Sequence, residues 1–326
     1  MTVNTCGSYG SYAILLVDEA DTSTYVPVTF DSNSERYQIL SESIRYVDNT
    51  LGGAGMTGTI DKIFNHLRPG ARLVTGRIVM EVGPVQLTAW LPRILGNAAS
   101  VNTFATDTTF DNPPFDIFIR RDKADHYYRH CAVNRCLLQT RAGIGSQEQT
   151  MRMTLDILGY EEHTDQSWPG TPPPLTTSQE LYWVHGDGKF TADTNNPSAF
   201  EEYYFDAFNL LIDNNLVPQT RNFLNVTCLQ SRGRSIRLQM PIPLTATNNT
   251  NFYANRYEGA ILIEFLGTKN MAAAYSAYDT TFSMPNVRQV LRTPTTAGRG
   301  EIPLSLDFEA YRESTDEPLT ITNASA

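Results

Sequence analysis

Cysteine is scarce in this sequence, and the few cysteines are far apart. The chain has four, at Cys6, Cys131, Cys136 and Cys228, and none of them forms the close CxxC pair that zinc and redox sites use. We therefore expect free, mainly structural thiols, as in proteins of a reducing compartment.

Basic residues are also few. Lys and Arg number 25 against 35 Asp and Glu, which gives a formal net charge of −10. A protein that grips duplex DNA needs a surplus of positive charge on one face, so this balance argues against such a role. An acidic surface suits a protein that nucleic acid must slide past without sticking, but ordinary solubility explains the same balance.

Long hydrophobic runs are missing. No uninterrupted apolar run approaches the ~20 residues that a helix needs to cross a bilayer. The first ten residues, Met1–Gly10, carry no basic region, and the apolar run Tyr12–Val17 is followed at once by Asp18. We therefore predict that no signal peptide is present and that the protein is soluble and made in a cytosol.

Proline and glycine cluster at one place in the chain. The segment Gln166–Pro174 holds four prolines and a glycine, which exclude a helix and a central strand. A chain of 326 residues exceeds the usual size of one domain. We therefore predict a first domain over residues 1–165, a linker over 166–177 and a second domain over 178–326.

The ends of the two predicted domains resemble each other. Leu155–Asp165 and Leu306–Asp316 share Leu, Asp, Tyr, Glu, Thr and Asp at the same spacing. Weaker similarities relate Asp48–Leu51 to Asp213–Leu216, and Asp107–Phe110 to Asp279–Phe282. Together these matches suggest a duplicated domain in which each copy ends in the same strand and turn.

Apolar residues alternate with polar ones in several segments, as in half-buried antiparallel strands. The clearest are Arg77–Val82, Met151–Ile157, Ser235–Met240 and Glu301–Glu309. Helices are predicted over Val85–Leu95, Ala199–Leu211 and Met271–Tyr278. The fold class is therefore mainly β with a few helices (α+β): two tandem β-sandwich or barrel domains, each with a helix packed on its sheet.

Few residues suggest catalysis or metal binding. His126 and His130, close to Cys131 and Cys136, could share a metal if they lay on a helix. The following residues are typical of a strand, on which side chains four residues apart lie about 13 Å from each other, and we favour that interpretation. The glycine-rich segment Gly52–Gly58 lacks the Lys-Ser/Thr of a phosphate-binding loop, and neither GxSxG nor HExxH occurs. We predict no enzyme activity and no cofactor.

One family resembles the first half of the chain. Ser41-Glu42-Ser43-Ile44-Arg45, the glycine-rich loop, the strand Gly76–Glu81 and the leucine-rich segment Leu87–Gly96 follow one another in the order seen in tail tube proteins of long-tailed bacteriophages. In the second half the nearest match to Gly76–Glu81 is Gly259–Glu264.

The resemblance implies a structural virion protein of the phage tail. Sheets of neighbouring subunits would join around a ring into a barrel, with helices outside and loops or arms reaching the next ring. A duplicated subunit would form trimeric rings that imitate six-fold symmetry. The rings would stack in the host cytoplasm into a tube that conducts DNA, together with tape measure, terminator and baseplate proteins.

The channel of such a tube is typically acidic, since negative side chains repel phosphates. If the apolar strand faces pack against the helices, the opposite faces line the channel. This nominates five acidic residues as channel-lining, with ordinary outer surface as the alternative: Asp156, Glu162, Asp307, Glu309 and Glu313.

Two other functions stay open at this point. A tail terminator, connector or baseplate protein would share the fold but stop at one ring. A carbohydrate-binding or adhesion module, suggested by the Tyr, Trp and Asn residues, would be a stable monomer with an exposed aromatic surface.

Overall fold

A computed structural model describes most of the chain. The described residues are 14–18, 35–52, 67–100, 103–106, 114–121, 124–141, 150–164, 175–176, 188–193, 200–203, 205–220, 223–254, 256–265, 279–290, 302–313 and 316–323.

Strands dominate the fold, as the alternating pattern predicts. In chain order they are β1 (Ile14–Asp18), β2 (Glu35–Tyr37), β3 (Ser41–Glu42), β4 (Arg45–Gly52), β5 (Leu67–Glu81), β6 (Gly96–Ser100), β7 (Thr103–Thr106), β8 (Phe115–Arg121), β9 (Ala124–Arg141), β10 (Arg152–Gly159), β11 (Glu161–His163), β12 (Leu175–Thr176), β13 (Gly188–Asp193), β14 (Phe200–Tyr203), β15 (Ala207–Asp213), β16 (Leu216–Gln219), β17 (Cys228–Ser231), β18 (Ser235–Pro243), β19 (Glu258–Phe265), β20 (Thr280–Gln289), β21 (Pro303–Ala310) and β22 (Thr320–Asn323). The helical segments are α1 (Pro84–Leu95), the short α2 (Ala246–Asn248) and a π-helical turn, Asn249–Ala254. The prediction of a mainly β fold with a few helices is therefore confirmed.

Strand pairing runs continuously from the first half of the chain into the second. In the first half the order of neighbours is β4, β5, β10, β9 and β8. In the second half it is β15, β18, β21, β20 and β19. All of these pairs are antiparallel, and β9 also pairs with β15, which joins the two half-sheets. If the five strands of each half are numbered along the chain, both half-sheets have the spatial order first, second, fifth, fourth, third.

Helix α1 covers the apolar side of the first half-sheet. Pro84 starts it, where a missing backbone N–H costs nothing, and Gly83 N donates to Gln86 Oε1 at 3.0 Å. Gly96 ends it with φ 103°, a left-handed conformation that favours glycine. Trp90 is completely buried beneath it. The predicted helix at Val85–Leu95 is therefore confirmed.

Helix α2 and the π-helical turn stand at the matching place in the second half. Two residues separate β5 from α1, and two residues separate β18 from α2. Phe252 in the π-helical turn is completely buried and has Tyr203, Tyr257 and Phe308 around it, at centroid distances of 4.9, 5.4 and 6.3 Å. Each half-sheet therefore has a helical segment that buries a large aromatic side chain.

The helix predicted over Ala199–Leu211 is wrong. Strands β14 and β15 occupy most of the described part of this range. In β15, Phe208, Leu210 and Ile212 are buried and the residues between them are half-buried, because the strand lies between β9 and β18. Burial along the segment therefore has the two-residue period of a strand.

Some predictions fall outside the described residues. These are the helix at Met271–Tyr278, the glycine-rich segment after Gly52, and most of the linker 166–177, of which only β12 is described. β12 pairs in parallel with β2. Within the described part of the chain, no helix has the length and apolar character needed to span a membrane.

Candidate functional site

The solvent-facing side of the continuous sheet carries a row of alternating charges. Arg77, Asp156, Arg135 and Asp213 lie directly opposite one another on β5, β10, β9 and β15. Arg77 Nε donates to Asp156 Oδ1 at 2.7 Å, and Arg135 Nε lies 3.7 Å from Asp213 Oδ2. The bond to Asp156 raises the pKa of Arg77, so this guanidinium stays charged. The row crosses from the first half of the chain into the second.

The same side of the second half-sheet is also charge-paired. Arg237 Nη2 lies 3.8 Å from Glu309 Oε1 across β18 and β21. Gln239 Nε2 donates to Asp307 Oδ2 at 3.3 Å on the same two strands. Residues two apart on a strand share a face, so Asp307 and Glu309 face the same side.

The structure brings three of the five predicted acidic residues to one side of the sheet. Asp156, Asp307 and Glu309 lie there, and Asp307 is only 3% exposed. Glu162 lies on β11 beside β9, where Oε1 is 2.8 Å from His126 Nδ1. Glu313 is exposed beyond the end of β21 and forms a backbone bridge with Asp316.

Arginines on this side were not predicted from the sequence. By strand alternation and register they are Arg45, Arg77, Arg135, Arg141, Arg152, Arg237 and Arg288. The described carboxylates on the same side are Glu81, Asp156, Asp213, Glu258, Glu264, Asp307 and Glu309. Seven positive and seven negative described side chains therefore share the face. The alternation that identifies Asp156 also identifies Arg152, so the signal was present in the sequence.

A second polar cluster lies where β8, β9 and β11 meet. Asp116 is 1% exposed and accepts hydrogen bonds from the Tyr127 hydroxyl and, at 2.9 Å, from the His130 backbone N. Burial raises the pKa of Asp116 and lowers the pKa of His130. The His130 ring stacks on Tyr160, with centroids 4.9 Å apart.

β9 is a strand throughout Ala124–Arg141, as favoured from the sequence. His126 and His130 therefore do not share a helical face, and each contacts different partners. Among the described residues, no group of three or more His, Cys, Asp or Glu side chains is placed to hold a metal ion.

One contact at the base of the first half recurs in the second. Arg72 lies nine residues before the end of β5, and its Nη2 is 3.1 Å from Asp48 Oδ2. Arg234 lies nine residues before the end of β18, and its Nε donates to Asn214 Oδ1 at 2.9 Å. Asp48 lies within β4, the strand paired with β5, and Asn214 directly follows β15, the strand paired with β18.

The segment Gly76–Glu81 and its nearest sequence match occupy different places in the pairing order. Gly76–Glu81 ends β5, which lies between β4 and β10, and the strand at the corresponding place in the second half is β18, which lies between β15 and β21. The segment Gly259–Glu264, which lies on β19, is therefore not its counterpart in pairing order.

Two places on the sheet carry exposed backbone or apolar surface. Among the described strands, β4 pairs only with β5 along Arg45–Gly52. At the other end of the sheet Val290, which follows β20, is 43% exposed. The sequence contains no motif that predicts either place, because an exposed edge depends on which strands pair.

Comparison with known proteins gives one family. A family model described as phage tail tube protein matches residues 13–310 of the chain. No curated protein matches the chain.

Proposed function

We propose that the chain, which belongs to the phage tail tube protein family, polymerises as stacked rings into the tube that conducts DNA to the host. Members of this family are structural components of the virion tail, and they assemble with themselves and with other tail proteins. The observation that carries this proposal is the pairing of β9 with β15. It joins two half-sheets of identical strand order inside one chain, and a ring needs the same kind of joint between chains. Each open edge would then be covered by a neighbour.

The two halves are, in this proposal, copies of one ancestral domain, divided within residues 166–177. The shared strand order, the helical segments that follow β5 and β18 at the same distance, and the Arg72 and Arg234 contacts support it. With two copies in each chain, three chains supply six half-sheets. The rings are therefore proposed to be trimers with pseudo-six-fold symmetry.

The polar side of the sheet is proposed to line the channel, with Asp156, Asp307 and Glu309 among its wall residues. The apolar side is covered by α1 and the helical segment around Phe252, which leaves the polar side free for the channel. Glu162 and Glu313 follow the same two strands, so their proposed place is at one end of the lining. Four arginines on this side lie beside carboxylates, which reduces their attraction for phosphates: Arg77, Arg135, Arg237 and Arg288.

The protein is further proposed to contact tape measure, terminator and baseplate proteins, to assemble in the host cytoplasm, and to perform no catalysis. Its role is mechanical. The supporting observation is its membership of a structural family.

Electron microscopy of the purified full chain tests the proposal. Hollow tubes made of rings with three-fold symmetry are expected. Single rings that do not stack would instead indicate a terminator or connector. A monomer at every concentration, with no strand pairing between chains, would contradict the proposal.

A further inference from the structure

The joint inside the chain shows what a joint between two half-sheets requires. β9 and β15 pair antiparallel from Ala207–Arg141 to Asp213–Arg135. At the next position the backbone N of Asn214 donates to Asn134 O at 2.8 Å. Arg135 and Asp213 face each other across the joint and form an ion pair of 3.7 Å.

Val290 holds the place of Arg135 in the second half-sheet. Arg135 lies opposite Asp156 on β10, and Val290 lies opposite Asp307 on β21, where its backbone N donates to Asp307 O at 2.7 Å. Asp156 and Asp307 are the matching aspartates of the repeated terminal strands.

The flanking strand also ends at the matching place. β8 pairs with β9 as far as Cys131, beyond which β15 takes over. β19 pairs with β20 as far as Arg288, and Val290 comes two residues later. The 43% exposure of Val290 thus falls where a further strand is docked in the first half.

In strand register Val47 holds the place of Asp213, one residue away from the alignment of Asp48 with Asp213 that the sequence similarity suggests. Asp213 lies opposite Ser235 on β18, one residue before Asn214, which binds Arg234. Val47 lies opposite Leu73 on β5, one residue before Asp48, which binds Arg72. No described strand pairs with β4 on the side away from β5.

We infer that β4 of one copy joins the end of β20 of the next in the register of the β9–β15 joint, with Val47 of one chain opposite Val290 of the other. This rests on the proposed ring assembly and names its contact. A pair of β-branched apolar residues is a favourable cross-strand pair, and burying it removes Val290 from water.

The two joints differ in chemistry, and the difference provides specificity. The joint within the chain pairs two charges, whereas the joint between chains pairs two valines. Exchanging the partners would place Arg135 against Val47, or Asp213 against Val290, and would break the ion pair between Arg135 and Asp213. Such mismatches disfavour wrong pairings and direct each edge to its own partner.

Transferring the ion pair to the new joint tests the inference. Val47→Asp alone and Val290→Arg alone should each raise the concentration needed for ring assembly, by about tenfold or more, which corresponds to about 1.4 kcal/mol. The double variant recreates the pair Arg135–Asp213 and should recover assembly. Val47→Arg with Val290→Arg is the matched control, in which two like charges meet and assembly should stay weak.

Disulfide trapping gives a second readout. The double variant Val47→Cys with Val290→Cys, in a chain that also carries Cys6→Ser and Cys228→Ser, should form covalent dimers and trimers on oxidation. Either cysteine alone should not. Arg135→Cys with Asp213→Cys should close within one chain and so verify the reference joint, since facing residues of paired strands meet disulfide geometry.

The outcomes separate the two proposals. Rings in the microscope with neither trapping nor mutual rescue would overturn the Val47–Val290 register and leave ring assembly standing. Absence of rings from the unmodified chain would overturn both. Single variants that assemble like the unmodified chain would also overturn the register.

Discussion

Arg77 donates through Nε to Asp156 Oδ1 at 2.7 Å, and the next strand places Arg135 directly opposite the same aspartate. One carboxylate therefore stands between two guanidinium groups on the polar side of the sheet. Asp156→Asn should change the free energy of unfolding by less than about 1 kcal/mol, because Arg77 is 57% exposed and exposed ion pairs contribute little.

The same substitution should have a larger effect on DNA passage if this side lines the channel. It leaves Arg77 without its carboxylate partner, whereas Arg135 keeps Asp213, and a free guanidinium group binds phosphates. Phage carrying Asp156→Asn should therefore release DNA more slowly, most visibly at low salt. The double variant Asp156→Asn with Arg77→Gln should recover part of the rate. Equal release rates for all three proteins would place this face away from the channel.

Trp90 and Phe252 are the completely buried aromatic residues of the two helical segments. Trp90→Ala and Phe252→Ala should each lower the free energy of unfolding by about 3–5 kcal/mol, as large-to-small changes in a core do. Denaturant titration of the unassembled chain measures both values.

A milder variant serves as the control for the core. Trp90→Phe should cost less than Trp90→Ala, because Trp90 Nε1 is buried and has no acceptor among the described residues. The smaller ring therefore loses no hydrogen bond. If Phe252→Ala cost less than about 1 kcal/mol, the π-helical turn would not close the core of the second half-sheet.

Local pattern predicted parts of β5, β10, β18 and β21 and the helix at Val85–Leu95, because alternation and capping signals lie in consecutive residues. It failed at Ala199–Leu211, where the strand state of β15 is imposed by β9 and β18 on either side. The acidic candidates were found, but their arginine partners Arg77 and Arg237 lie on strands far away in sequence. Edge residues such as Val47 and Val290 carry no local signal at all.

Asn214 connects the two halves from a completely buried position. Its Nδ2 donates to the carbonyl oxygens of Ile94, in α1, and Val133, in β9, at 3.0 Å each. Its Oδ1 accepts from Arg234 Nε at 2.9 Å. Asn214→Ala would leave these buried groups unsatisfied and should lower the free energy of unfolding by about 3 kcal/mol.

Thermal unfolding of the Asn214→Ala chain measures this loss. The matched control is Asn215→Ala at the next position. Asn215 is exposed and has φ 49°, so that the change removes a residue tolerant of the left-handed conformation. We expect the control to lose about 1 kcal/mol. A loss at Asn214 no greater than at Asn215 would show that the buried bonds do not hold the halves together.

His130 makes the stability of the β8–β9–β11 corner depend on pH. Burial lowers the pKa of His130 in the folded chain, whereas in the unfolded chain it is about 6.5. The lowered pKa means that the folded chain favours the neutral imidazole. The contribution of His130 to the free energy of unfolding is therefore complete above pH 6.5 and is lost as the pH falls through the folded pKa. Asp116 has a raised folded pKa, and its contribution therefore has the opposite sign.

His130→Asn isolates the histidine. Asparagine tolerates the φ of 50° at this position and keeps the backbone N–H that binds Asp116, so that Asp116 acts alike in both proteins. Between pH 7.5 and pH 5 the melting temperature of the unmodified chain should fall more steeply than that of the variant, and above pH 7.5 their difference should be constant. Parallel curves over the whole range would mean that His130 takes up its proton as readily in the folded chain as in the unfolded one, and that its burial against Tyr160 does not oppose the charge.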